Sequence, residues 1–222
     1  MNWKMIYLAR RNPGLKPEEF PQAWREHSAL GAQCTNVRAK VLSVAQCSRV
    51  LDAPALPGAN LDYDGVNLLG IRDRAVADDI WSDAETLAIM RPDEPRVFDR
   101  YVRDFTLLCS EQVLRDEPRT DSLLMGFVQR ATDVSQEAWQ AAQVSAPQLP
   151  GAGRCVWNAV EATPPPGYPY DAIVEWWYPS DQALRGALAA GGVVACLPST
   201  FSAAVNVPNS VFMHLRVTHR RN

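Results

Sequence analysis

Met5 to Ala9 is a short apolar run with aromatic and β-branched members, stopped by Arg10-Arg11 and the Asn12-Pro13-Gly14 turn, and it reads as a strand. The period then changes. Phe20, Ala23, Trp24, His27 and Leu30 fall on one face of a helix, with Pro17 in its first turn, Glu18 and Glu19 near the positive end of its dipole and Gly31 as its stop. Lys40 to Val50 and Tyr63 to Ile71 read as strands, separated by a loop carrying Pro54, Pro57 and Gly58. Asp73 is placed to cap a helix from Arg74 to about Met90, which Pro92 and Pro95 end. Arg96 to Arg103 adds one or two helical turns, and Phe105 to Leu114 a fourth strand.

The order βαββαβ is the split unit of a ferredoxin-like domain. Arg115 to Ser122 is charged, polar and proline-containing, and reads as a linker. Beyond it the pattern restarts: a strand at Leu123 to Gln129, a helix at Ser135 to Ser145 containing Trp139, and a strand at Arg154 to Glu161. A Pro-rich loop at Thr163 to Pro169 and a strand opening at Tyr170-Asp171 follow, then a helix capped by Ser180-Asp181 and interrupted by Gly191-Gly192, and a last strand at Val211 to Thr218. His219 to Asn222 reads as a solvated tail. The predicted class is therefore α+β, with tandem ferredoxin-like βαββαβ domains at residues 1–115 and 122–222.

Composition narrows the function little. The 222 residues are 47% hydrophobic, with net charge −3, so nothing marks a nucleic-acid or anionic-membrane surface. The longest nearly apolar run, Gly186 to Pro198, is too short to cross a bilayer, and Lys4, Arg10 and Arg11 interrupt any secretory leader. Cytoplasmic residence is the expectation. Cys34, Cys47, Cys109, Cys155 and Cys196 are odd in number, widely spaced and outside any C-x-x-C or Cys/His metal pattern, and read as packing residues. There is no Gly-rich phosphate loop and no G-x-S-x-G elbow.

A strand ending in Arg-Arg, a Pro-Gly turn and then Phe20, Trp24 and His27 at intervals of four and three resembles the opening of the EthD family. The resemblance continues more weakly to about residue 115. It implies small ferredoxin-like domains that pair sheet to sheet as dimeric α/β barrels, so two fused copies would close a pseudo-dimeric barrel within one chain. The family's habit, together with exposed sheet edges, points to a further homodimer. The fold hosts cyclases, decarboxylases, isomerases and monooxygenases, so the resemblance names an architecture rather than a reaction.

The two halves differ in chemistry. In either plausible register Ser145 or Ala146 stands opposite His27, and Ala131-Thr132-Asp133 replaces the Pro-Gly turn. An imidazole exchanges protons near neutrality, and its place at a helix C-terminus favours the imidazolium form of a general acid. Tyr7 shares a strand face with Arg11, where a phenol would sit beside a bound carbonyl or enolate. Glu175, mid-strand between large apolar residues, is costly there unless paired. It matches a glutamate that recurs in the family's third strand, and counting back from Asp181 to Asp73 sets Asn67 in its place in the first half. The candidate catalytic residues are thus His27, Tyr7 and Glu175, with Phe20, Trp24, Arg11, Asn67 and His214 binding substrate. A haem enzyme on the related barrel would need a proximal ligand, for which His214 is available. The reading adopted is an enzyme with no cofactor and no metal, a lyase or isomerase acting on a small hydrophobic oxygen-bearing substrate through His27. A cofactor-free monooxygenase and a non-catalytic small-molecule binder are the alternatives.

Overall fold

The computed structural model describes residues 2–221. The first half runs β1 (Asn2–Ala9), α1 (Phe20–Leu30), α2 (Thr35–Lys40), β2 (Val41–Arg49), β3 (Gly65–Ile71), α3 (Ala75–Ile80), α4 (Ala84–Ile89), α5 (Glu94–Val97) and β4 (Thr106–Arg115). The second runs β5 (Ser122–Val128), α6 (Gln136–Ser145), β6 (Arg154–Val160), β7 (Ala172–Tyr178), α7 (Asp181–Leu188), α8 (Gly192–Cys196), α9 (Ser199–Ala204) and β8 (Val211–Arg221). All eight strands join one closed antiparallel barrel in the order β1-β3-β2-β8-β5-β7-β6-β4, with β4 returning to β1. Closure leaves no sheet edge exposed, which removes the edge argument for a homodimer.

Strand alternation sorts side chains to two destinations. Lys4, Ile6 and Leu8 of β1 point into the barrel, whereas Met5, Tyr7 and Ala9 point outward to the helices of the first half. The barrel core is apolar except around Lys4, whose ammonium binds Glu175 Oε1 at 2.5 Å and also Glu111. Asn158 Nδ2 and Trp177 Nε1 donate to the Glu175 carboxylate at 3.0 and 2.9 Å. Glu175 is therefore paired, as its burial requires.

Each half is locked by the same contacts. The Arg11 N–H donates to Asp64 Oδ2 and its Nε to the Leu15 carbonyl; the Arg130 N–H donates to Asp171 Oδ2 and its Nε to the Val134 carbonyl. Arg11 bridges Phe98 as Arg130 bridges Val205. The turn at Ala131–Val134 closes on the same hydrogen bond as the turn at Asn12–Leu15, so it forms without Pro-Gly.

Several local expectations are corrected. Residues 74–90 are two helices, because the Asp83 carboxylate accepts from the Thr86 N–H and starts a new one; Asp73 caps nothing and pairs with Arg72. α1 begins at Phe20, with Pro21 rather than Pro17 in its first turn. Gly31 keeps helical dihedrals and leads into a 3-10 turn. β8 lies inside the barrel between β2 and β5 and extends to Arg221, so His219–Arg221 are strand; Asn222 lies outside the described residues. Among the described residues no helix is long and apolar enough to cross a membrane.

Candidate functional site

The buried face of α1 carries Phe20, Ala23, Trp24 and His27 against the outer face of β1 and β3. Close approach depends on Gly65, where a Cβ would lie 2.6 Å from Trp24 Cζ3 and 2.8 Å from the Cys47 carbonyl oxygen. Trp24 and Phe20 stack at 5.0 Å, and Phe98 meets Trp24 and His27 edge-on at 5.7 and 5.5 Å. Beyond Trp24 the helix and sheet diverge around a cavity of about 300 Å³, at the lower end of small-ligand sites. Tyr7, Asn67 and Leu69 form its sheet wall; Trp24, His27, Met90, Glu94 and Phe98 form its helical wall.

His27 is buried and its Nδ1 lies 3.0 Å from Asp93 Oδ2. Burial is the main influence and pulls the imidazole below its ordinary range, against the opposing hydrogen bond from Asp93. The ring is thus the neutral form, with its proton on Nδ1 donating to the carboxylate, and Nε2 keeps a lone pair with no protein partner among the described residues. This corrects the imidazolium expectation: desolvation outweighs the helix terminus. Arg96 holds Asp93 through Nε at 2.6 Å and Nη2 at 3.0 Å, and keeps that carboxyl below the usual range.

On the same helical wall lies Glu94, whose carboxylate accepts the Val102 N–H at 2.9 Å. Burial raises its carboxyl above the usual range. The Tyr7 phenol is pushed up by burial and then by Glu94, so it stays protonated and can donate. Its strand partner Asn67 is buried with Oδ1 unpartnered. Two titrating groups pushed in opposite directions, beside a phenol and an uncommitted amide in an apolar cavity, equip this seam for proton transfer next to an oxygen-bearing carbon.

The structure brings His27, Tyr7, Trp24 and Asn67 together, with Phe20 packed behind Trp24. It separates the other three candidates. Arg11 is committed to Asp64 and the Leu15 carbonyl. His214 is buried 2.6 Å from Asp181 in the second half and does not line the cavity. Glu175 lies on the opposite side of the sheet, inside the barrel, bound to Lys4. The counterpart relation between Glu175 and Asn67 fails for the same reason, since Asn67 faces outward. Among the described residues no cluster of three or more His, Cys, Asp or Glu side chains could hold a metal ion. Four of the five cysteines are buried, with the Cys155 thiol pushed up to about 12 mainly by burial.

Asp93 and Glu94 were not among the candidates. Their only local signal is a pair of acids between Pro92 and Pro95, and nothing along the chain ties them to a histidine 66 residues away.

The equivalent seam of the second half is filled. Carrying the repeated Arg–Asp contacts along each element matches His27 with Ala146, Tyr7 with Gly126, Leu69 with Trp176 and Glu94 with Phe201. The Trp176 indole donates to the Ala146 carbonyl at 2.8 Å and packs edge-on against Phe201 at 5.6 Å. A Cβ on Gly126 would meet Trp176 and Phe212 at 3.0 Å.

Residues 12–101 match the model of the EthD domain, a span that contains His27, Asn67, Asp93 and Glu94. No curated protein matches the chain. Among solved structures the chain is similar to an anthrone oxidase-like protein, at 15% identity and TM-score 0.66 over 99% of this chain and 92% of that one. It is similar also to a putative monooxygenase of Fusobacterium nucleatum (8% identity, TM-score 0.60, 100% and 94% covered). A putative monooxygenase of Lactobacillus acidophilus matches at 10% identity and TM-score 0.53, with 100% and 95% covered. At these identities the likeness is one of fold.

Proposed function

We propose that the chain is a cofactor-independent oxygenase in which the His27–Asp93 dyad removes a proton from an activated C–H of a hydrophobic, oxygen-bearing substrate. The observation that carries this reading is the buried His27 imidazole, tied to Asp93 through Nδ1 and lining a largely apolar cavity with Nε2 uncommitted. Deprotonation at a methylene beside an aromatic ketone gives a carbanion that dioxygen can oxidise. A C–O bond forms to give a hydroperoxide, whose O–O bond breaks with loss of water. The balance is one CH2 and one O2 to one C=O and one H2O, so the substrate supplies all the electrons. Tyr7 and Asn67 orient the substrate oxygen, and Trp24, backed by Phe20, sets the apolar wall. The names of the similar structures, an anthrone oxidase-like protein and two putative monooxygenases, agree with oxidation.

Glu94 favours a second reading. A lyase or isomerase must return the proton elsewhere on the substrate, and a second titrating group on the cavity wall, a carboxyl raised by burial, is available to donate it. In either reading the two halves descend from one ferredoxin-like unit, supported by their matching strand order and matching Arg–Asp locks. The test is anthrone turnover by the protein and its His27→Asn variant, under air and under argon, with an oxygen electrode and ¹⁸O₂ labelling. Oxygen uptake with label in the ketone, dependent on His27, is the expected result. Turnover that persists under argon replaces it with the lyase or isomerase reading, and equal rates for the two proteins remove His27 from the chemistry.

A further inference from the structure

The mouth of the His27 cavity is lined by Arg25 of α1 and by His219 and Arg221 of β8, the last strand of the other half. Their position follows from one irregularity. In β8, Phe212, His214 and Arg216 point outward and Met213, Leu215 and Val217 point into the barrel, so unbroken alternation would send residues 219 and 221 inward. Instead the register against β2 slips between Gln46–His219 and Cys47–Val217, leaving Thr218 as an extra residue. That bulge reverses the alternation and turns His219 and Arg221 outward, beside Gln46 and Val44. The bulge is pinned. The Thr218 hydroxyl lies 3.0 Å from Ser48 Oγ and donates to the Gln46 carbonyl at 3.3 Å, and Arg25 Nη2 donates to the Thr218 carbonyl at 3.3 Å.

Neither Arg25 nor Arg221 has a carboxylate partner within 4.0 Å among the described residues, although most arginines of this chain do. Glu94 is the one acidic residue lining the cavity, on its inner wall. Two guanidinium groups without a carboxylate partner, Arg25 bonded to the Thr218 carbonyl, therefore border a largely apolar pocket.

We propose that Arg25 and Arg221, with His219, bind an ionised carboxylate on the substrate, so that this site selects hydrophobic carboxylic acids over their neutral analogues. The inference rests on the cavity being the substrate site and adds the charge of what enters it. A planar guanidinium pairs with a carboxylate through parallel N–H donors, a geometry that a neutral amide meets only in part. His219 is held below its ordinary range by burial and then by Arg25 and Arg221, which marks the mouth as a place short of negative charge. The cavity body supplies apolar area, and the mouth fixes which end of the ligand stays outermost.

The test is calorimetric titration at pH 7.5 with 2-naphthoate and its neutral counterpart 2-naphthamide, on the wild type, Arg25→Gln, Arg221→Gln, the double variant and Leu69→Trp, which fills the cavity as Trp176 fills its counterpart. Naphthoate should bind the wild type more tightly. Each arginine variant should lose about three- to tenfold for naphthoate and change by less than about twofold for naphthamide. The double variant should lose the preference, and Leu69→Trp should abolish binding of both. Equal affinity for the two compounds in the wild type, or equal losses for both in the arginine variants, overturns the charge inference and leaves the cavity as a neutral-substrate site. Binding of naphthoate that survives Leu69→Trp overturns it as surface association. Binding of neither compound by the wild type removes the cavity reading itself.

Discussion

Replacing Asp93 with Asn tests the dyad at its least replaceable point. The carboxylate accepts from Arg96 Nε on Oδ1, and on Oδ2 from both Arg96 Nη2 and His27 Nδ1. An asparagine has one acceptor oxygen, and the shortest of these contacts, at 2.6 Å from Arg96 Nε, claims it. The amide NH2 is then turned to His27, which must accept at Nδ1 and carry its proton on Nε2. The lone pair facing the cavity is lost although the side-chain shape is unchanged. General-base catalysis is worth about 10² to 10⁴ in rate, so kcat/KM should fall by that factor, about 2.7 to 5.4 kcal/mol of transition-state stabilisation. Fold stability should change by less than about 1 kcal/mol, because the Asp93–Arg96 pair is partly exposed. Long-range ¹H–¹⁵N correlation of the His27 ring reports the tautomer without any substrate: Nδ1–H in the wild type, Nε2–H in Asp93→Asn. A wild-type ring protonated on both nitrogens at pH 7, or an Asp93→Asn protein with unchanged tautomer and rate, would refute the reasoning.

Three further outcomes follow from the same contacts. His27 and His214 are both held below the ordinary 6.5, chiefly by burial, so between that pH and their folded values the unfolded chain binds more protons. Stability present above pH 6.5 should therefore be lost as the pH falls through this window, and urea titrations should show a shallower loss in His27→Asn and His214→Asn. Gly65→Ala drives a methyl into Trp24 and the Cys47 carbonyl and should cost about 1 to 3 kcal/mol in urea unfolding, while Gly186→Ala, where a Cβ meets nothing within 4 Å, should not destabilise. Glu175→Leu leaves Lys4 buried with Glu111 as its sole carboxylate and should cost about 3 kcal/mol or more, with much of the loss recovered in Lys4→Met/Glu175→Leu.

What could be read from the sequence was whatever a short window encodes. The strands and α1 were legible because apolar period and turn residues change together at their ends, and Ser180 caps its helix as expected. The split of residues 74–90 was not, because Asp83 looks like any surface acid on a helix until its carboxylate is seen on the Thr86 N–H. Counting from the helix caps sets Asn67 opposite Glu175, one residue away from the structural register. In a strand an error of one residue exchanges the barrel interior for the helix seam. The Thr218 bulge has no mark in the sequence, and with it unseen His219–Arg221 read as tail. His27 was legible and its partner was not, since the Asp93 contact is made only once α5 folds back against α1.

The unequal halves trace to a few exchanges of side-chain volume. On the shared lattice of strands and helices, Trp176 and Phe201 stand where the first half has Leu69 and Glu94, and Gly126 in place of Tyr7 gives Trp176 its room. The filled seam is apolar and close-packed, with the Trp176 N–H satisfied by the Ala146 carbonyl. The open seam keeps a desolvated imidazole, a buried carboxyl and an amide oxygen without a partner. Each of these is costly to bury, and none contributes to stability what an apolar side chain of similar size would. β8 joins the two arrangements: its barrel-facing residues complete the shared core, and past the Thr218 bulge the same strand delivers His219 and Arg221 to the mouth of the other half's cavity. The second half therefore lines the cavity as well as supporting it.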